Sequence, residues 1–368
     1  MMSSGEPLRL AVIFGGESVE HAVSVRSARA VLAAIDGERF VPLPIGITRS
    51  GTWLRPVETE ALLDQIAKGA PECVVGPEGS GVLARPQVLE ALATADVAFP
   101  LIHGSHGEDG SLQGLFELAD LPYVGAGVAA SAIGLDKSLM KLSFERAGLP
   151  ITPYQVITRD QWTRDRSGVE AAAGAIGFPA FVKPANGGSS LGITKVRELG
   201  AMGGAIDTAL QFDHKVIVER GVSGRECECG VIGNDPSGEP DDWATLRVTP
   251  VGEIRTPREF YDYVAKYDDD ATELIVPADL PIETSDEIRR MAREAFIAIG
   301  CAGMARVDCF LGDDGVVWLN EINTIPGFTN ASMFPRAWQA DGMSFPSLVS
   351  HLVDLAIARH EEQHHREP

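Results

Sequence analysis

A chain of 368 residues that is 45% apolar and 23% charged has an ordinary globular composition, with length enough for two or three cores. Its formal charge of −21 argues against nucleic acid or an acidic membrane as partner, so an anionic ligand has to be met by a local cluster of cations. No apolar run approaches a membrane span, the first residues lack the regions of a signal peptide, and the five cysteines are odd in number and scattered, so a reduced, soluble, cytoplasmic protein is expected.

Residues 8–14, LRLAVIF, form a buried-strand run, followed by the glycine turn GGESVEH and a helical pattern in VSVRSARAVLAAI. VAFPLIHG (97–104) reads as a second strand that ends in the polar loop HGSHGEDGS, with the helix LQGLFELAD after it. Strand, loop and helix in that order predict an open, mainly parallel sheet with functional loops at the strand ends. The stretch 55–90 is less regular and its elements are not placed. From 131, SAIGLDKSLMKLSFERAGL predicts one helix carrying Lys137 and Lys141, ended by Gly148 and Pro150. Short strands follow at 178–184, 193–196 and 215–222, with a helix near 198–211, as in a small α+β unit. A third region begins at RECECGVIGN and ends in the helix SFPSLVSHLVDLAIARH. This gives three domains, 1–125, 126–222 and 223–368. The histidines of the tail HEEQHHREP could bind metal in vitro, but a solvated, frayed end is the expectation.

Near the end of the chain, MARVDCFL and GVVWLNEIN both alternate around GDDG. If Asp314-Gly315 is a two-residue turn, Asp308 falls opposite Glu321 and Arg306 opposite Asn323, all on one face, while Val307, Cys309 and Leu311 face a core. A three-residue turn would flip one strand and break the arrangement. Carboxylates facing each other repel unless a cation lies between them, and oxygen donors of this kind suit Mg²⁺ carrying phosphate oxygens. A solvated acidic face is the competing reading. The following TIPGFTN favours the metal, since a Pro-Gly turn can aim backbone N–H groups inward.

FVKPANGGSSLGITKV (181–196) sets Lys183 at a strand end and small residues in the turn, where amides and the Ser189 and Ser190 hydroxyls can approach phosphate closely. A structural turn remains the alternative. VIVERGVSGRE ends a strand at Glu219 and then exposes Arg220–Val222, which can present backbone groups to an adenine edge while Glu226 holds a ribose; a surface hinge is the other reading. Cys227 and Cys229 lie on one side of an alternating strand and suit a core better than a zinc site.

Taken in order, GGESVEHAVS, HGSHGEDGSLQG, FVKPANGGSSLG, FYDYVAKY, RVD and NEINTIPGFT resemble the D-alanine–D-alanine ligase family of the ATP-grasp superfamily, over nearly the whole chain. The resemblance implies an α/β chain of the three-domain ATP-grasp fold, an N-terminal open parallel sheet plus two α+β domains clamping ATP, usually as a homodimer. It implies joining of two D-alanine molecules through a D-alanyl phosphate, for peptidoglycan precursors. A D-lactate or D-serine ligase and a non-ligating ATP-binding regulator are the alternatives. Asp308, Glu321 and Asn323 resemble ligands of two Mg²⁺ ions, for which Mn²⁺ can substitute. Lys137, Lys183 and Lys266 resemble phosphate contacts. Ser190, Glu219, Arg220, Val222, Glu226, Phe260 and Asn320 complete the implied ATP site. Glu20 and His103 match the first D-alanine subsite, and Ser189 and Tyr267 the hydroxyls that link with Glu20 to close the site. Arg306 and the Gly327 N–H match the oxyanion donors, and Ser332 and Met333 the second D-alanine subsite. Tyr267 favours an amine over D-lactate as acceptor, and the loops 184–192 and 255–273 are the candidate lid. His106 has no role in this pattern.

Overall fold

The computed structural model describes residues 6–76, 85–188, 191–235, 245–256 and 272–364. The first unit is built on strand β1 (Leu8–Gly15), which pairs in parallel with β2 (Phe40–Ile47) and β3 (Val97–Pro100) in the order β2-β1-β3. Helix α1 (His21–Ala34) lies between β1 and β2, and α2 (Pro56–Ala67) and α3 (Pro86–Ala93) between β2 and β3. The two helices fill part of the stretch that the sequence left unplaced; each opens on a proline, which lacks an N–H that the first helical turn would leave unpaired anyway. Because side chains alternate, Leu10, Val12 and Phe14 join one core with Val25, Ala28 and Val31 of α1, while Ala11 and Ile13 join another with Val88, Leu92 and Phe116. Phe116 belongs to α4 (Ser111–Leu118), the helix expected after the polar loop.

The single helix expected over 131–148 is two: α5 (Val128–Leu135) and α6 (Lys137–Arg146). Asp136 between them is extended, at φ −81° and ψ 100°, and its carboxylate accepts from the N–H groups of Ser138 (2.9 Å) and Leu139 (3.2 Å). An aspartate serves better as an N-cap than inside a helix, and the cap resets the helix so that Lys137 opens α6. Lys137 N–H then bonds the Ala185 carbonyl at 2.9 Å, which ties α6 to the end of the next sheet.

That sheet has four strands, β4 (Tyr154–Thr158), β5 (Ala180–Pro184), β6 (Thr194–Val196) and β7 (Lys215–Arg220), in the antiparallel order β4-β7-β5-β6. Helices α7 (Arg159–Arg164), α8 (Arg166–Gly174) and α9 (Met202–Ala209) supply Trp162, Ala173 and Ile206 to its core. The third sheet runs β11-β10-β8-β12-β13, with β9 on β8. Its strands are β8 (Gly224–Gly233), β9 (Arg247–Val248), β10 (Gly252–Arg255), β11 (Glu273–Ile275), β12 (Gly303–Gly312) and β13 (Val317–Asn323). Helix α10 (Ile282–Ala298) covers the face carrying Cys227, Cys229, Val307 and Cys309, so these thiols are core as expected.

After α11 (Met333–Ala340), the last helix α12 (Phe345–His364) returns to the first sheet, where Leu348, Leu352 and Leu355 share a core with Leu10 and Phe14. Phe328 packs on Phe99 of β3 with ring centroids 5.6 Å apart. The chain after β13 is thereby anchored on the first unit.

Candidate functional site

The hairpin β12–β13 reaches the expected pairing by a different route. The Gly312 N–H bonds the Val316 carbonyl, so the turn holds three residues, Asp313 to Gly315, with Gly315 at φ +80°. A turn of that length would set Asn320 opposite Asp308. Instead the register shifts between Asp308 and Cys309: Cys309 pairs with Leu319, but Asp308 with Glu321 and Arg306 with Asn323. Asn320 is the extra residue of a β-bulge. Bulge and turn cancel, and Asn320, Glu321 and Asn323 all line one cavity of about 1330 Å³.

Within the hairpin the carboxylates are already matched by cations. Arg306 donates from Nε to Asp308 Oδ1 at 2.7 Å and from Nη2 to Oδ2 at 2.6 Å, and its Nε lies 3.1 Å from Glu228 Oε1. Burial opposes the guanidinium charge, but Asp308, Glu228 and Glu321 outweigh it and hold Arg306 firmly protonated. Lys137 Nζ stands 3.8 Å from Glu321 Oε2 and donates to the Gly187 carbonyl at 2.8 Å. Asn323 donates its amide N–H to Asp308 at 3.0 Å, which leaves its amide oxygen as the atom a cation would meet. Asp308, Glu321 and Asn323 therefore offer oxygen donors only, in a place where the protein already sets positive charge against carboxylate. That donor chemistry fits a hard divalent ion such as Mg²⁺. Asp308 itself is 2% exposed and lies beneath Arg306, so an ion reaching it has to displace part of that pair.

The loops at the C-terminal ends of β1 and β3 form another wall, the position at which open parallel sheets bind ligands. Gly15, at φ +95°, sits so close to the Ile47 carbonyl that a Cβ there would lie 2.1 Å from the oxygen, which makes glycine obligatory. His21 then fixes the loop: its Nδ1 donates to the Gly16 carbonyl at 2.6 Å and its Nε2 accepts from Val74 N–H at 2.8 Å. Glu20, at the entry of α1, is buried but lines the cavity. The 184–192 loop comes up against it, since a Cβ on Gly188 would lie 3.0 Å from Glu20 Oε2. His103 lies 2.9 Å from the Ile325 carbonyl through Nδ1, which must be the donor, and burial keeps its pKa below the ordinary range. Its buried Nε2 has no hydrogen-bond partner among the described residues, a ring nitrogen poised to accept from a ligand. Glu108 accepts from Gly104 N–H at 2.7 Å and Ile325 N–H at 3.0 Å. Burial and the neighbouring Glu20 push its carboxyl up to about 8. His103 and Glu108 thus pin the segment that carries Gly327. Ser332 bonds Thr329 within the same segment, and Gly327, Ser332 and Met333 all line the cavity.

Toward the second sheet, Lys183 on β5 pairs with Glu219 on β7, and Lys141 on α6 reaches the other carboxylate oxygen at 2.9 Å. Burial works against ionisation, yet Lys141 and Lys183 together hold Glu219 down at about 2. Arg220 packs over the Trp318 ring, 5.5 Å from its centroid. The N–H groups of Arg220 and Gly221 bond the carbonyls of Pro153 and Pro179, at 2.9 and 2.7 Å, so part of the backbone expected to meet adenine is already engaged. Arg220, Val222 and Glu226 line the cavity with Lys137, Lys183 and Glu219. Ser189, Ser190, Phe260, Lys266 and Tyr267 lie outside the described residues, as does most of the expected lid.

Three residues of the site escaped the reading of the sequence. Glu228 is 2% exposed and holds Arg306; the alternation in RECEC, with Cys227 and Cys229 assigned to the core, already put Glu226 and Glu228 on the other face. Lys141 follows Lys137 by four positions, one helical turn, but its partner Glu219 is remote in sequence. Glu108 stood inside a quoted motif, yet nothing local shows that it bonds Ile325, which is 217 positions away. His106, without a role beforehand, is exposed at φ +66° with Nδ1 3.8 Å from Glu17.

Comparison with known proteins agrees with this geometry. The family model described as D-ala D-ala ligase N-terminus matches residues 9–126, and that described as D-ala D-ala ligase C-terminus matches residues 143–354. The D-alanine–D-alanine ligase of Streptomyces coelicolor is 46% identical over 95% of this chain and 93% of its own. D-alanine–D-alanine ligase A of Chromobacterium violaceum is 45% identical over 96% of both chains. Among solved structures, the D-alanine–D-alanine ligase of Coxiella burnetii superposes with a TM-score of 0.79 at 32% identity, covering 98% of this chain and 97% of that one. The VanG D-Ala:D-Ser ligase of Enterococcus faecalis also gives 0.79, at 34% identity, covering 95% of this chain and 100% of that one.

Proposed function

The chain belongs to the D-alanine–D-alanine ligase family, and from that premise we infer that it joins two molecules of D-alanine to D-alanyl-D-alanine with cleavage of ATP to ADP and phosphate. The observation that carries this reading is the single cavity lined both by Glu20, His103, Arg306 and Gly327, suited to an amino acid, and by Lys137, Lys183 and Glu219, suited to a nucleotide. The reaction serves peptidoglycan precursor synthesis, as the family does.

The proposed chemistry has two steps. The carboxylate of one D-alanine attacks the γ-phosphorus of ATP and ADP leaves, giving D-alanyl phosphate; the amine of a second D-alanine then displaces phosphate from the activated carbonyl. Glu20 holds the first ammonium, and His103 Nε2, a lone-pair acceptor in the tautomer fixed by Ile325, lies in the same subsite. Lys137, Lys183 and Lys266 contact phosphate oxygens, with Glu219 orienting Lys183 and, with Ser190, Arg220, Val222, Glu226, Phe260 and Asn320, bounding the nucleotide. Asp308, Glu321 and Asn323 would hold the divalent metal, two Mg²⁺ or Mn²⁺ in their place, which would neutralise charge on the transferring phosphoryl group. Arg306 and Gly327 N–H meet the tetrahedral oxyanion, and loss of one such donor typically costs on the order of a hundredfold or more in rate. Ser332 and Met333 bound the second subsite. Ser189 and Tyr267 close the loops over Glu20, which keeps water from the acyl phosphate.

Further parts of the reading are a homodimer, a cytoplasmic location, and domain boundaries near 125 and 222. No helix among the described residues is long and apolar enough to cross a membrane. The test of function is mass-resolved product analysis with Mg-ATP and D-alanine, alone and with excess D-serine or D-lactate. D-alanyl-D-alanine as the main product in every mixture supports the reading. A mixed product would transfer the acceptor preference to D-serine or D-lactate, and ATP binding without any ligated product would favour a regulator.

A further inference from the structure

Away from the cavity, α12 meets the corner that follows α4. His360 and His364, four positions apart on α12, both direct Nε2 at Asp120 Oδ1, at 3.1 and 2.7 Å. The three donor atoms lie within 4.8 Å of one another. The imidazole rings stack with centroids 4.2 Å apart. Asp120 follows the end of α4 at φ +52°, a left-handed conformation where glycine or asparagine is usual, so its carboxylate comes at a conformational cost.

The hydrogen bonding of His364 points to its ligand. Its Nδ1 lies 2.8 Å from the His360 carbonyl oxygen, which only accepts, so Nδ1 carries a proton, and in the neutral ring Nε2 turns a lone pair toward the carboxylate. Backbone carbonyls fix metal-binding histidines in this way. Two acceptors at 2.7 Å need a cation between them or a second proton on the ring. The neighbouring cation, Arg359, is turned away and donates to the carbonyls of Gly125 and Tyr123. Bonds of about 2.1 Å in tetrahedral geometry separate two ligand atoms by about 3.4 Å, so small side-chain rotations open the present spacing to that of a zinc site.

We propose that Asp120, His360 and His364 form a site for a borderline-soft divalent cation such as Zn²⁺, with a water in the fourth position, which fastens the C-terminal helix to the first unit. Two imidazoles and one carboxylate favour zinc over magnesium, so the site is distinct in chemistry from the all-oxygen set on the hairpin.

The test uses the full chain, stripped with chelator and held in millimolar magnesium, titrated with Zn²⁺ against a chromophoric chelator. Wild type is expected to take up one more equivalent than the H360Q/H364Q variant, and Co²⁺ to show imidazole-type visible bands in wild type alone. Loss of a direct ligand costs at least as much as loss of an outer-shell partner, about 10–100-fold in metal affinity, so D120N, which tolerates the left-handed backbone, should weaken binding by at least about tenfold. Ligase turnover in all variants reports that they fold. Equal zinc uptake by wild type and the double variant would overturn the proposal in favour of a protonated imidazole resting on Asp120. Unchanged affinity in D120N would remove the aspartate from the site.

Discussion

Replacing Glu219 by glutamine removes the carboxylate that Lys141 and Lys183 share and leaves two buried ammonium groups facing a neutral amide. In the folded protein that carboxyl is held at about 2, against an ordinary 4.5. At about 1.4 kcal/mol per pH unit the difference corresponds to about 3 kcal/mol of stability at neutral pH. Because the folded value is depressed, this contribution is complete above about pH 4.5 and fades as pH falls toward 2. Breaking a buried pair by removing one partner typically costs about 3–5 kcal/mol, a consistent figure reached independently. Urea unfolding of wild type and E219Q without nucleotide, followed from pH 8 to pH 4, is the assay. A difference of about 3 kcal/mol, flat down to about pH 5 and shrinking below it, is expected, with a raised KM for ATP. A variant within 1 kcal/mol of wild type at pH 7, or a difference that widens as the pH falls, would refute the reasoning.

Glu321→Gln is expected to lower turnover most at limiting magnesium while the unfolding curve stays in place; equal turnover there would remove Glu321 from the metal site. Glu108, raised to about 8, makes the opposite pH prediction: wild type loses stability relative to E108Q as pH rises from about 4.5 toward 8, and parallel stability–pH curves would contradict it. Glu108→Ala leaves the N–H groups of Gly104 and Ile325 without their acceptor, at about 1–3 kcal/mol each, and loosens the Gly327 segment, so kcat should fall with little change in the KM for ATP. Tyr267→Phe is expected to release more phosphate than dipeptide; an unchanged ratio would exclude a role in sealing the site.

What the sequence made legible was mostly local. Alternation put Val307 and Cys309 in the core and Asp308 on the opposite face, and motif order brought the site residues of three sheets into one scheme. The hairpin shows how a correct pairing can rest on an incorrect turn: the three-residue turn and the bulge at Asn320 each shift the register by one, and neither has a strong sequence signature. The break at Asp136 was within reach, because an aspartate followed by a new helical turn is a cap, but the surrounding apolar spacing masked it. Non-local partners were out of reach. Glu228 with Arg306, Lys141 with Glu219 and Glu108 with Ile325 depend on the packing of units far apart in the chain. The return of α12 to the first sheet is of the same kind, since its apolar face does not say which sheet it covers.

The most direct test of the central claim follows oxygen. With D-alanine labelled by ¹⁸O in its carboxylate, attack on the γ-phosphorus and later displacement of phosphate carry one labelled oxygen into each phosphate released, in step with each dipeptide formed. One ¹⁸O per phosphate and one phosphate per D-alanyl-D-alanine is the predicted result. Unlabelled phosphate, or phosphate released without dipeptide, would contradict an acyl phosphate formed and consumed in this cavity.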